Sequence, residues 1–211
     1  MTTLETIPLP AELDPWRPVQ RVLVLADMDA VSHGLAEGSG ASRVSDAEAG
    51  LLLRQVQITA WATGAAHCRF RLGASSETAK HHWGLVTASA NNQWSIRKGL
   101  NGADQALTEE LDGLAANVHA EQARKHGRAC TNLAILIGQD HAYGPAVRQL
   151  RLLGVPTWVL QPGRYIASDL YRPAACVTRV RPAAAPLEEP AGGQRGWISP
   201  IGPNPSCGVS M

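Results

Sequence analysis

Apolar runs long enough to cross a bilayer are missing from this 211-residue chain; none approaches the roughly 20 residues that such a span needs. Paired cysteines are missing too. Cys68, Cys130, Cys176 and Cys207 are scattered without a Cys-x-x-Cys motif, which argues against a disulfide framework or a zinc ribbon. Charge of either sign is not in excess: 19 Lys and Arg stand against 18 Asp and Glu, a formal net charge of +1. No global field therefore attracts nucleic acid or membrane, and a polyanion would have to use a local patch. The opening stretch MTTLETIPLPAELDPWRPVQ has neither the basic start nor the apolar centre of a signal peptide, so a cytoplasmic location is expected. No G-x-G-x-x-G follows the first apolar run and no G-x-x-x-x-G-K-[ST] exists, which leaves nucleotide-cofactor binding without support. The G-x-S-x-G nucleophile elbow is absent. No internal repeat is visible.

What is present is a chain with 45% hydrophobic residues, long enough for one well-buried core and too short for two full domains. Residues 1–20 hold four prolines and read as an extended lead-in. Arg21 to Asp27 is a short run of β-branched residues and leucine, a buried strand by length and composition. A Gly/Ser-rich loop follows. Ser45 and Glu48 then have capping-box spacing ahead of Ala49, Leu52, Leu53, Val56 and Ala60 at helical period, with Gly64 placed to end the helix. HCRFRLG alternates like a strand, SSETAKHHW suits a short helix, and GLVTA suits a third short strand. Asn101 is placed to cap a long helix with Leu107, Leu111, Leu114 and Val118 on its inner face, closing at Gly127. Leu133 to Ile137 is the next strand, Pro145 opens a helix that Gly154 terminates, and TWVLQ is another strand.

Strand and helix thus alternate roughly five times, the mark of an α/β domain with a mainly parallel sheet. The domain is expected over residues 21–180. Residues 181–211, rich in Pro and Gly and without periodicity, read as a disordered tail.

Two of the apolar runs end on acid. Asp27 and Asp29 follow the first, and Asp140 follows Leu133 to Ile137. In an open parallel sheet the carboxyl ends of the strands line one crevice where ligands bind. Asp104 opens the long helix at the same edge. Carboxylates gathered there repel one another unless a cation shares the site, and hard oxygen ligands suit Mg²⁺ or Mn²⁺. Each acid also has a local use: Asp104 can complement the helix dipole, Asp140 can cap a helix, and Asp27 or Asp29 can hold a turn.

VLVLADMD, NGADQAL and LAILIGQDHAYGPAVRQLRLLG, in this order, resemble the NYN domain family, a branch of the PIN-like metal-dependent ribonucleases. The resemblance runs from roughly Arg21 to Val180, with SDLYRPAACVTRV similar to the closing segment, and is closest over Asn101 to Leu107 and Pro145 to Gly154. It implies a three-layer PIN-like domain with about five strands. It implies Asp27, Asp104 and Asp140 as catalytic, metal-binding acids, with Asp29 as an auxiliary ligand, and Tyr143 as the aromatic behind the third acid. The chain departs from the family pattern at Ala30, Ile137, Gln139, Ala142 and Cys176. The expected activity is Mg²⁺- or Mn²⁺-dependent hydrolysis of RNA; the alternative is a silent RNA-binding or protein-interaction module.

RNA, single-stranded or structured, is the expected partner; no membrane is expected, and homo-oligomerisation is left open. His141 could touch the scissile phosphate or donate a proton. Arg97 and Lys98, with Asn101 beside them, could hold the RNA backbone, and Trp94 could stack a base or else cover the sheet edge.

Overall fold

β1 (Arg21–Asp27) is buried at every position after Arg21. A strand covered on both faces carries no polar alternation, which is why its apolar run is nearly continuous. It sits inside a parallel sheet with β2 (His67–Ser75), β3 (Gln93–Arg97), β4 (Asn132–Ile137), β5 (Thr157–Gln161) and β6 (Cys176–Arg179). This computed structural model describes residues 7–16, 18–37, 41–88, 93–99, 101–124 and 132–180. The sheet order is β3-β2-β1-β4-β5-β6, and every pairing is parallel.

Helices cover both faces. On one side lie α1 (Met28–Gly34), α2 (Asp46–Ala62), α3 (Ser76–His81) and α4 (Trp83–Ala88). Their core joins Val31, Leu52 and Val56 to Val22, Val24, Ile135 and Trp158 of the sheet. On the other side α5 (Gly102–Arg124), α6 (Gly144–Leu152) and α7 (Ser168–Tyr171) bury Leu107, Leu111, Val147 and Leu170 against Leu25, Leu136 and Val159. The fold is therefore a three-layer α/β fold with six strands, where about five were expected. Among the described residues, no helix is long and apolar enough to cross a membrane.

Local signals explain most boundaries. Ser45 Oγ accepts from the Glu48 amide while the Glu48 carboxylate accepts from the Ser45 amide, the capping box that the spacing implied. Gly64 and Gly154 take φ of +78° and +76° after α2 and α6, where a side chain would strain the backbone.

Four expectations change. Met28–Gly34, read as the start of a Gly/Ser-rich loop, is helix α1, N-capped by the Asp27 side chain. GLVTA is helix α4: the Val86 amide donates to the His82 carbonyl, and Thr87 Oγ1 donates back to the Trp83 carbonyl at 3.0 Å. The backbone bond to His82 and contact with α2 outweigh its β-branched composition. The third strand is instead QWSIR, which among the described residues pairs only with β2, at the sheet edge, and so lacks a strong apolar alternation. Within the lead-in, Ala11–Trp16 is a 3-10 helix rather than extended chain, because Leu13 packs into the first core. The expected tail, the close of the long helix at Gly127 and the cysteines at 130 and 207 lie outside the described residues.

Candidate functional site

The strand order reverses between β1 and β4, which leave the sheet in opposite directions through their crossovers and open a crevice at their carboxyl ends. Asp27 is the last residue of β1 and the N-cap of α1. Its Oδ1 accepts from the Ala30 amide at 2.9 Å. Its Oδ2 accepts from the Tyr143 hydroxyl at 2.8 Å, across 116 residues of sequence. Asp140, three residues past β4, caps the 3-10 turn His141–Tyr143, with Oδ1 accepting from the Ala142 amide at 2.9 Å. That turn swings Tyr143 back under the crevice, where the side chain is fully buried. Both acids thus have local capping work. Asp27 caps α1, whereas Asp140 caps the 3-10 turn and not the Pro145 helix, whose N-cap is Tyr143. Each keeps lone pairs to spare.

Asp104 enters from above, in the first turn of α5. The approach is close because Gly73 has no side chain: a Cβ there would lie 2.6 Å from Leu107 Cγ and 3.0 Å from the Ala103 carbonyl oxygen. Tyr143, bonded to Asp27, also favours the charged form of Asp104. Asp29, in the first turn of α1, is held by Ser75, whose Oγ donates to Oδ1 at 2.8 Å and whose amide donates to both carboxylate oxygens.

The electrostatics follow from this crowding. Burial pushes the Asp27 carboxyl up to about 7, its two hydrogen bonds opposing and the charges of Asp104 and Asp29 adding. Asp104 is raised too, first by burial, then by Asp140 and Asp29, against Tyr143 and His141. Burial and the two acids hold the Tyr143 phenol far above its ordinary range, so it remains a donor. Among the described residues, no Lys or Arg forms an ion pair with any of the four aspartates. The one phenolic proton goes to Asp27, and a further proton or a cation is needed to balance the acids around it. The donor set, all hard oxygen, matches Mg²⁺ or Mn²⁺. Among the described residues, however, no three His, Cys, Asp or Glu side chains form a ready ligand group. A cation here would rest on one or two carboxylates and retain much of its water, as Mg²⁺ commonly does.

The remaining sequence candidates separate. His141 is exposed beside Asp140, its Nδ1 2.8 Å from Asp140 Oδ1. Lys98 and Asn101 are exposed between β3 and α5. Arg97 is engaged: its guanidinium is bound in a two-pronged ion pair by Glu109, which leaves it less free for phosphate than expected. Trp94 packs against the first core with its Nε1 buried and without a partner. It covers the sheet edge, the second of its two expected uses, and is not presented as a stacking face.

Two features had no signal in the sequence. The Tyr143 hydroxyl and the Ser75 hold on Asp29 are contacts across the chain, and only the topology brings their ends together. Gln139, a departure from the family pattern, proves structural: its Oε1 accepts from the Gly163 amide at 3.0 Å and its carbonyl from the Ala167 amide at 2.9 Å. No protein-family model matches the chain, and no curated protein matches it.

Proposed function

We propose that the protein is a metal-dependent ribonuclease of the NYN kind, cytoplasmic, which hydrolyses RNA phosphodiester bonds with Mg²⁺ or Mn²⁺ held by one or two of the carboxylates of Asp27, Asp104 and Asp140 and by water. One observation carries this reading. Asp27, 3% exposed, is crowded by other acids at the switch point of a parallel sheet, with no ion-paired Lys or Arg among the described residues to offset them. A cation in the working state offsets such an arrangement at pH values where the carboxylates would otherwise have to hold protons. When bound, the cation would activate water and offset charge on the scissile phosphate.

The residues divide the remaining work. Tyr143 fixes the orientation of Asp27, and Ser75 fixes Asp29 as an auxiliary group at the rim. His141, with Nδ1 toward Asp140, leaves Nε2 to face solvent and protonate the leaving oxygen. Lys98 and Asn101 contact the RNA backbone from the β3–α5 connection. The test is incubation of single-stranded and hairpin RNA with the protein in Mg²⁺, Mn²⁺ or chelator. Metal-dependent cleavage that Asp140→Asn abolishes is expected; cleavage persisting in chelator contradicts the reading.

A second reading, a silent RNA-binding or protein-interaction module on the same fold, is favoured by one observation: no three-ligand group stands ready among the described residues. It predicts RNA or protein binding without cleavage in any of these buffers.

A further inference from the structure

The loop after β5 carries Arg164 and Tyr165, and neither is used by the site as described. Tyr165 is 81% exposed, far more than a large aromatic ring ordinarily is. Its backbone, by contrast, is fastened on both sides. The Gln161 side chain donates to the Gly163 carbonyl at 2.9 Å, a buried bond. The Gly163 amide is held by Gln139, the Arg164 amide by Glu37 at 2.7 Å, and the Ala167 amide by the Gln139 carbonyl. Gly34 admits the loop so closely that a Cβ there would lie 2.8 Å from the Gly163 nitrogen. Gln139, which fastens both ends, directly precedes Asp140. The loop is therefore built onto the same crevice edge as the carboxylates.

A ring displayed on a fixed backbone loses little freedom when something lies against it. The guanidinium of Arg164 makes no ion pair among the described residues, unlike that of Arg97. Trp94, the aromatic that the sequence offered for stacking, is turned into the core. We propose that this loop is a nucleobase-stacking subsite: Tyr165 takes the face of an unpaired base of the strand bound at the carboxylates, and Arg164 meets the neighbouring phosphate. The subsite rests on the RNA reading and specifies it, because stacking requires an unpaired base and tolerates any base identity.

The test is anisotropy titration of the full chain, in chelator, with a labelled single strand of about 12 nucleotides and an abasic strand of equal charge. The parent should prefer the strand that carries bases. Tyr165→Ala should bind it roughly 5- to 100-fold more weakly and lose that preference, while Tyr165→Phe stays within about twofold of the parent. Arg164→Ala should lower the salt slope by about one and leave the preference intact. The thermal midpoint and its metal response should be the parent's in all three variants, since both side chains are exposed. Parent-like binding and preference in Tyr165→Ala would overturn the subsite while leaving the RNA reading in place, and would assign the ring to some other partner. A parent that binds neither strand would overturn the subsite and the RNA reading together, with any metal response standing apart.

Discussion

Tyr143 gives its one proton to Asp27 and none to the other acids of the site, and much of the site's behaviour follows from that shortage. Tyr143→Phe keeps the buried ring and removes the donor to Asp27. Hydrogen bonds to charged groups contribute about 1.5–3 kcal/mol, so urea unfolding at pH 8 should register a loss of that order. The loss should shrink at pH 5, where Asp27 holds its own proton. The sign of the wider pH dependence follows from the Asp27 carboxyl being raised from 3.8 to about 7. Between those values the unfolded chain gives up the proton while the folded chain retains it, so a penalty on folding accumulates as pH rises and is complete above about 7. Asp27→Asn keeps an acceptor for the Ala30 amide and removes the charge. It should stabilise the metal-free protein at pH 8, by up to about 4 kcal/mol, and change little at pH 4. His82 acts in the opposite sense. Burial lowers its pKa from 6.5 against the Asp46 bond, so its penalty accumulates as pH falls below 6.5. Only the difference between variant and parent isolates Asp27. The acids themselves were legible in the sequence because strand ends announce them. The donor to Asp27 was not, because a contact across 116 residues leaves no local trace.

At the scale of elements, periodicity and caps located what is buried and well fastened. The span of β1 and the capping box of α2 stand where the sequence put them. Two of the failures, α4 and β3, fall on partly exposed pieces. No residue of α4 is buried, and β3 alternates only weakly at the edge. In both, neighbouring elements decide the conformation, and composition carries little of that information. The same distinction says which substitution should disturb the site from outside it. Gly73→Ala places a methyl against Leu107 and the Ala103 carbonyl, where backbone cannot easily give way. Overpacking of this kind typically costs 1–3 kcal/mol, about what unfolding of Gly73→Ala should show. Because the strain lies under the first turn of α5, Asp104 should shift and metal response should weaken, although no carboxylate has been altered. A Gly73→Ala protein with the parent's stability and metal response would mean that α5 is not seated by this contact.

At the scale of the whole molecule, alternation of strand and helix implied a parallel sheet, and a parallel sheet with one reversal of strand order has one preferred crevice. Four aspartates from three crossovers stand at that edge, near enough for Asp27 and Asp104 to feel the others' charge, and neither charge nor composition would have advertised it in a chain of net charge +1. The central claim is that these carboxylates form a cation site. The direct measurement is the thermal midpoint of the metal-free protein and of Asp104→Asn, each with and without Mg²⁺ or Mn²⁺ at pH 8. A cation that binds only the folded arrangement raises the midpoint by mass action. The account predicts a metal-induced rise in the parent and none in Asp104→Asn, whose metal-free midpoint should equal or exceed the parent's because repulsion is relieved. A parent indifferent to metal, together with an Asp104→Asn protein destabilised by the few tenths to about 1 kcal/mol of a lost helix-dipole contact, would contradict it.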